Sequence, residues 1–124
     1  MTEMLLQDLR LNEVDVEGAL ERLSNDMDMY KMILTAFPED STMSELKEAL
    51  KEKNWDEAFT AAHALKGLAG NLGFTGLFYA LGELVIIIRA GKVNDMEESF
   101  NSVQEFYDDI IQVINFHLIK QGEK

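Results

Sequence analysis

Ala-His-Ala-Leu-Lys-Gly-Leu-Ala-Gly-Asn-Leu-Gly, residues 62–73, is the segment around which the helical pattern of the chain is arranged. At helical spacing, a cation and two glycines share one stripe with its histidine, His63: Lys66, Gly67 and Gly70. The opposite stripe is apolar and consists of Ala58, Phe59, Ala62, Leu65, Ala69 and Leu72. This pattern predicts a helix that buries one side and presents His63 to solvent.

The two glycines inside this helix need a reason, because each is about 0.8–1 kcal/mol less favourable there than alanine. A side chain four residues after His63 would lean back over the surface beside it, and Gly67 leaves that surface uncovered. The glycines therefore indicate that another molecule approaches His63. Close packing between helices is the alternative explanation for Gly67 and Gly70.

The rest of the chain also has helical apolar spacing, which predicts an all-α protein. Asn54 and Glu57 form a capping box that opens the histidine helix, expected over residues 55–71. Gly73 is expected to stop that helix with a positive φ. Pro38 removes a backbone donor, so we expect a kink or break near it.

Capping residues predict where the other helices begin. The candidates are Asp15, Asn25 or Asp26, Ser41 or Thr42, Thr75, and Asn94 or Asp95. Residues 3–12 predict a short helix or an extended lead-in. Short connections between amphipathic helices imply an antiparallel up-down four-helix bundle with one or two short additional N-terminal helices. We expect residues 1–124 to form a single domain.

Composition limits the classes of function. Eleven basic and 23 acidic residues give a net charge of −12, which disfavours nucleic acid and anionic membranes as partners. The absence of cysteine excludes disulfides and suits a reducing cytoplasm, where we expect the protein to work. The sequence offers no zinc pattern and no glycine-rich phosphate loop, so we expect no bound metal and no autonomous kinase activity.

The run His63-x-Leu65-Lys66-Gly67, followed by Asn71-Leu72-Gly73, resembles histidine-containing phosphotransfer (HPt) domains, the carriers of multistep phosphorelays. The resemblance covers roughly residues 14–115, because further segments look like the flanking helices of that family. These segments are residues 15–25, 30–40, 46–56 and 77–92.

The resemblance implies that His63 accepts a phosphoryl group from a receiver-domain aspartate and passes it to another receiver. The partners would be receiver domains of response regulators or of a hybrid histidine kinase. The receiver would hold the Mg²⁺, and this chain would bind no cofactor. By the same resemblance Arg89, on the following helix, is a candidate second cation facing His63.

The residue chemistry supports this role for His63. An imidazole has an ordinary pKa of about 6.5, so much of it is neutral near pH 7, and its phosphorylated form is labile. Lys66 can screen the phosphoryl charge, although it can also be an ordinary solvated lysine. We expect the docking surface for the partner to include Ala64, Gly67, Gly70 and Val85. His117 has no comparable neighbours and is interpreted as a residue at the edge of the core.

One position departs from the family. Val85 stands where many members carry glutamate or glutamine, within the apolar run of residues 84–88. Two alternatives therefore stay open beside a monomeric carrier. The first is a module of the same fold that docks receivers with weak or no transfer, and the second is a structural or dimerising bundle that uses residues 84–88.

Overall fold

A computed structural model describes residues 2–119, which form an all-α structure. The helices are α1 Thr2–Leu11, α2 Val16–Arg22, α3 Met27–Ala36, α4 Thr42–Lys51, α5 Trp55–Asn71, α6 Thr75–Ala90 and α7 Val93–Ile114. A 3₁₀ turn, Phe37–Glu39, joins α3 to α4, and a π-helical turn, Asn115–Ile119, continues α7. Met1 and residues 120–124 of the predicted domain lie outside the described residues.

Helices α4 to α7 form the antiparallel up-down bundle that the sequence predicts. Helix α5 packs between α4 and α6, and α7 packs against α6 and also contacts α1. Leucines from different helices are fully buried where these elements meet: Leu46, Leu65, Leu77, Leu81 and Leu84. Burying each such side chain contributes about 1.5–3 kcal/mol. Helices α1, α2 and α3 precede these four, and the predicted break near Pro38 coincides with the 3₁₀ turn that separates α3 from α4.

The turn between α5 and α6 is anchored to the segment between α1 and α2. The Asp15 N–H donates to the Gly73 carbonyl over 2.6 Å, and the Thr75 N–H donates to the Glu13 carbonyl over 3.0 Å. Gly73 has the expected positive φ, +77°, and a Cβ there would collide with the Asp15 carbonyl. Glycine is therefore required at this position by conformation and by space.

The C-terminus of the histidine helix is also held from the N-terminal region. Arg22, at the end of α2, donates from Nη2 to the Gly70 carbonyl over 2.8 Å and from Nε to the Asn71 carbonyl over 3.1 Å. A cation on the last carbonyls of a helix satisfies free acceptors and is favoured by the helix dipole. The contact fixes the end of α5 relative to α2.

Three predicted helix starts are confirmed by their side-chain caps. Asp15 accepts from the Gly18 N–H, Asp26 from the Met29 N–H and Asn54 from the Glu57 N–H. The Asn54 amide also donates to the Glu57 carboxylate over 2.9 Å, which completes the capping box.

The predicted start of α6 was wrong by one residue. Thr75 is its first residue, and buried Phe74 occupies the capping position without a side-chain hydrogen bond. The reason is packing, because Phe74 must be buried beside Phe37, 5.1 Å away between ring centroids.

The predicted start of α7 was also wrong. The helix begins at Val93 after Lys92, ahead of the predicted caps Asn94 and Asp95. Gly91 ends α6 with φ +71°, and the chain then enters α7 at once without a side-chain cap.

Helix α4 begins after Ser41, but no serine or threonine hydroxyl caps it. Instead the Asp40 carboxylate accepts from the Thr42 N–H over 2.8 Å. Ser41 donates to the Glu45 carboxylate over 2.8 Å.

Tyr30, on α3, generates a prediction about alkaline pH. Its side chain is fully buried, its hydroxyl has no hydrogen-bond partner among the described residues, and burial raises its pKa from 10 to about 12. The unfolded chain therefore releases this proton first, so the contribution of Tyr30 is intact below about pH 10 and is lost toward pH 12. Between about pH 8 and pH 11, the wild type should lose about 1 kcal/mol more unfolding free energy than Tyr30→Phe.

Urea unfolding at the two pH values measures this difference. Tyr79→Phe is the matched control, because Tyr79 is 67% exposed. Equal losses in the wild type and in Tyr30→Phe would contradict the assignment.

Candidate functional site

His63 lies on the solvent side of α5. The opposite side of that helix is buried through small and branched residues: Ala58, Ala61, Ala62, Leu65 and Ala69. Because the buried side is so continuous, α5 cannot rotate without exposing it, and His63 is held outward.

The ring of Phe59 lies against the imidazole of His63. The rings of Phe59 and His63 stack with centroids 5.9 Å apart and planes within 7° of parallel. Phe59 is half-buried and packs on the edge of the core. The prediction that Phe59 belongs to the stripe opposite His63 was wrong, because residues four apart share a helical face. That spacing is the signal that would have found this contact.

Arg89 reaches the same ring from α6. Its guanidinium carbon lies 4.8 Å from the centroid of Phe59, within the range of a cation–π interaction. The structure therefore brings Arg89 to the residue that supports His63, and Arg89 itself is exposed.

Lys66 lies about one turn after His63 on α5, whereas Phe59 lies about one turn before it. The side chain of Lys66 extends across α6. Its ammonium is 5.2 Å from the centroid of Phe78. A Cβ at Gly82 would lie 3.6 Å from Lys66 Cε, so the side chain passes over a glycine. The two cations near His63 are thus both held by aromatic rings.

These contacts fix the register between α5 and α6. Phe78 faces Gly70 and Lys66 near one end of the pair, and Arg89 faces Phe59 toward the other. In antiparallel helices this register brings Val85 level with His63. Val85 is half-buried against the core and offers no polar atom.

Two exposed apolar side chains, seven residues apart, lie on the outer side of α6, and the second of them directly follows Val85. Tyr79 is 67% exposed and Ile86 is 68% exposed. The run of residues 84–88 does not form a continuous patch, because Leu84 and Ile88 are buried.

The charges around His63 differ between its two sides. A groove of about 750 Å³ between α4 and α5 ends at Ala64 and carries carboxylates from both helices. These are Glu45, Glu48, Glu52, Asp56 and Glu57. A hydrogen bond with Glu48 raises the pKa of Glu52. His63 therefore lies between an acidic groove on the α4 side and two cations on the α6 side.

Neither of those cations forms an ion pair with a carboxylate among the described residues. Within residues 2–119, the close contacts between basic and acidic side chains are Arg10 with Glu17 and His117 with Asp8. Acidic residues outnumber basic ones by 23 to 11, yet Lys66 and Arg89 keep their positive charges without a carboxylate contact within residues 2–119.

His117 is placed quite differently. Its Nε2 lies 2.9 Å from an Asp8 carboxylate oxygen, and its side chain is only 7% exposed. It joins the π-helical turn after α7 to α1, as expected for a residue at the edge of the core. Across residues 2–119 no three histidine, aspartate or glutamate side chains are arranged to hold a metal ion, and no helix is long and apolar enough to cross a bilayer.

The predicted docking glycines have different surroundings. A Cβ at exposed Gly67 would meet no atom within 4 Å, so packing does not explain it. A Cβ at Gly70 would lie 3.1 and 3.2 Å from two ring carbons of Phe78. Close packing with α6 therefore explains Gly70, whereas packing among the described residues gives no reason for Gly67. Ala64 is exposed next to His63.

Alanine substitutions should separate these two explanations. Gly67→Ala adds a methyl group in open space and should raise the unfolding free energy by about 0.5–1 kcal/mol. Gly70→Ala places a methyl group against the ring of Phe78. The stabilisation expected from replacing a helical glycine should therefore be cancelled or reversed. Urea unfolding of both variants measures the effects. Equal stabilisation would show that Phe78 does not constrain Gly70.

Comparison with protein families gives an independent result. The Hpt domain family model matches residues 28–113, from the start of α3 to the end of α7, and the match contains His63. Comparisons with curated proteins and with solved structures gave no significant match. The resemblance predicted from the sequence is confirmed, and since the family match covers more than half of the chain, this protein belongs to the Hpt domain family.

Proposed function

We propose that this protein is a phosphorelay carrier in which His63 accepts a phosphoryl group from the aspartate of one receiver domain and passes it to the aspartate of another. Membership of the Hpt family supports a role in histidine phosphotransfer. The observation that carries the finer proposal is the exposed imidazole of His63, flanked by Lys66 and Arg89 without carboxylate partners among residues 2–119.

The proposed reaction is a reversible displacement at phosphorus. The lone pair of His63 Nε2 attacks the phosphorus of the aspartyl phosphate, and the bond from phosphorus to the carboxylate oxygen breaks. The electron pair leaves with the aspartate. The proton on Nδ1 is free to pass to solvent, and its return accompanies transfer to the next receiver.

Lys66 and Arg89 would stabilise the phosphorylated state. A unit charge pair at about 5 Å and an effective dielectric near 20 interacts by roughly 3 kcal/mol, and less when exposed. That attraction opposes the repulsion between the added phosphoryl charge and a chain with a net charge of −12.

The partner would supply the remaining groups. We propose that the receiver brings both the aspartate and the Mg²⁺, so this chain needs no cofactor of its own. Its docking surface would include Ala64, Gly67, Gly70 and Val85, extended by the exposed side chains on the outer side of α6. We propose a cytoplasmic site of action for this single-domain carrier, which the absence of cysteine suits.

The test uses phosphoramidate as a small phosphoryl donor for the wild type, His63→Gln and His117→Gln. The wild type and His117→Gln should acquire an acid-labile, alkali-stable phosphate, whereas His63→Gln should acquire none. The label should leave the wild type when a receiver domain is added with Mg²⁺ and should persist when EDTA replaces the metal. Labelling of His63→Gln at the wild-type rate would refute the proposal.

The first alternative is a module that docks receivers with weak or no transfer. The position of Val85 favours it, because Val85 supplies no polar atom at the level of His63. In cells, this alternative requires that signalling survive His63→Gln. Loss of signalling in that variant, with the protein still folded, supports the carrier.

The second alternative is a dimerising bundle, favoured by exposed Tyr79 and Ile86. Two such side chains supply little of the roughly 800 Å² per partner that a stable interface buries. We therefore expect a monomer whose sedimentation does not change with concentration. A stable dimer that dissociates in Ile86→Glu, but not in Met32→Glu, would favour the dimer, because Met32 is exposed on distant α3.

A further inference from the structure

We infer that Phe59 is a positioning residue of the phosphoryl site, which holds the imidazole of His63 and the guanidinium of Arg89 in a fixed relation. The inference rests on the proposed function, because it assigns a residue to the same reaction. Its basis is that one ring contacts both groups, at 5.9 Å from the imidazole centroid and 4.8 Å from the guanidinium carbon.

The contact with His63 restricts the nucleophile. With ring planes within 7° of parallel, rotation of the imidazole about its bond to Cβ would break the stack. Phe59 is itself held by packing on the core. The ring therefore fixes the plane in which the imidazole nitrogens point toward an incoming phosphorus.

The contact with Arg89 positions a cation without neutralising it. A cation–π contact uses none of the N–H donors of Arg89, which has no carboxylate partner among residues 2–119, so these donors can reach phosphoryl oxygens. A carboxylate partner would instead occupy those donors and cancel the charge.

Such a competing carboxylate lies close by. Asp56 and Arg89 line the same cleft of about 450 Å³, together with Trp55, Phe59, Thr60 and Ile88. Asp56 and Phe59 are three residues apart and share a face of α5. Without the ring, Arg89 would be free to pair with Asp56, farther along the helix from His63. Phe59 thus holds the cation at a ring that also contacts His63, and away from the acid.

The experiment measures the rate of His63 phosphorylation by phosphoramidate in the full chain, which needs no receiver. Nε2 attacks phosphorus, the bond from phosphorus to nitrogen in the donor breaks, and the departing ammonia takes up the imidazole proton as ammonium. The variants are Phe59→Leu, Arg89→Ala, their combination, and Phe59→Tyr, which keeps the ring.

We expect Phe59→Leu and Arg89→Ala each to slow phosphorylation about fivefold, the scale of one cation–π contact. If Arg89 acts through the ring, the double variant should be no slower than the slower single variant. Phe59→Tyr should stay within about twofold of the wild type, because it retains the stacking face.

Phe100→Leu is the matched control. Phe100 is a half-buried ring on α7 that makes none of these contacts, so its loss should leave the rate unchanged. NMR supplies a readout that a merely structural role would not move. The side-chain protons of Arg89 should show an upfield ring-current shift that is lost in Phe59→Leu and kept in Phe59→Tyr.

The outcomes separate the two proposals. If the wild type takes up no phosphate on His63, the proposed function fails. If the wild type is labelled but Phe59→Leu reacts equally fast, or the single effects multiply in the double variant, only the role of Phe59 is overturned. If Phe59→Leu does not fold, the wild type alone decides. Arg89 side-chain resonances at random-coil positions would show no ring-current shift and would overturn the positioning role of Phe59.

Discussion

The close packing of α5 against α6 is the interaction on which the site depends. Small residues on the buried side of α5, such as Ala62 and Ala69, let the neighbouring helices approach closely. At that separation, side chains of α6 reach the solvent side of α5. The ring of Phe78 packs against Gly70 and contacts the ammonium of Lys66. The guanidinium of Arg89 contacts the ring of Phe59.

The chemistry of the site follows from a shortage of positive charge. In a chain with more than twice as many acidic as basic residues, a surface cation has many carboxylates to choose from. Aromatic rings hold Lys66 and Arg89 by weak, partly apolar contacts that leave their charge in place. The carboxylates are gathered on the other side of His63, in the groove beside α4. Opposite charges on the two sides of His63 would favour one orientation of the proposed partner.

Local signals in the sequence sufficed for most of the fold. The capping box at Asn54 and the left-handed glycine at Gly91 depend on neighbouring residues only, so both helix ends were predictable. The start of α6 was not, because burial of Phe74 decides it and that depends on distant residues.

The site, like the fold, was predictable only where local signals in the sequence decide it. Exposure of His63 follows from the pattern of α5, and the family of the chain follows from its motif. The directions taken by Lys66 and Arg89 depend on the register between two helices, which no short pattern encodes. Phe59 was within reach, since a spacing of four residues places it beside His63.

The anchoring of the α5–α6 turn also bears on where this structure can be divided. The family match begins at residue 28, after Asp15 and Arg22, which hold Gly73 and the last carbonyls of α5. A fragment cut to the matched range would leave those carbonyls to solvent and would lose a clamp on the histidine helix. The contacts that hold the end of the histidine helix therefore extend beyond the range that sequence comparison delimits, and α2 and the segment before it belong to the scaffold of that helix.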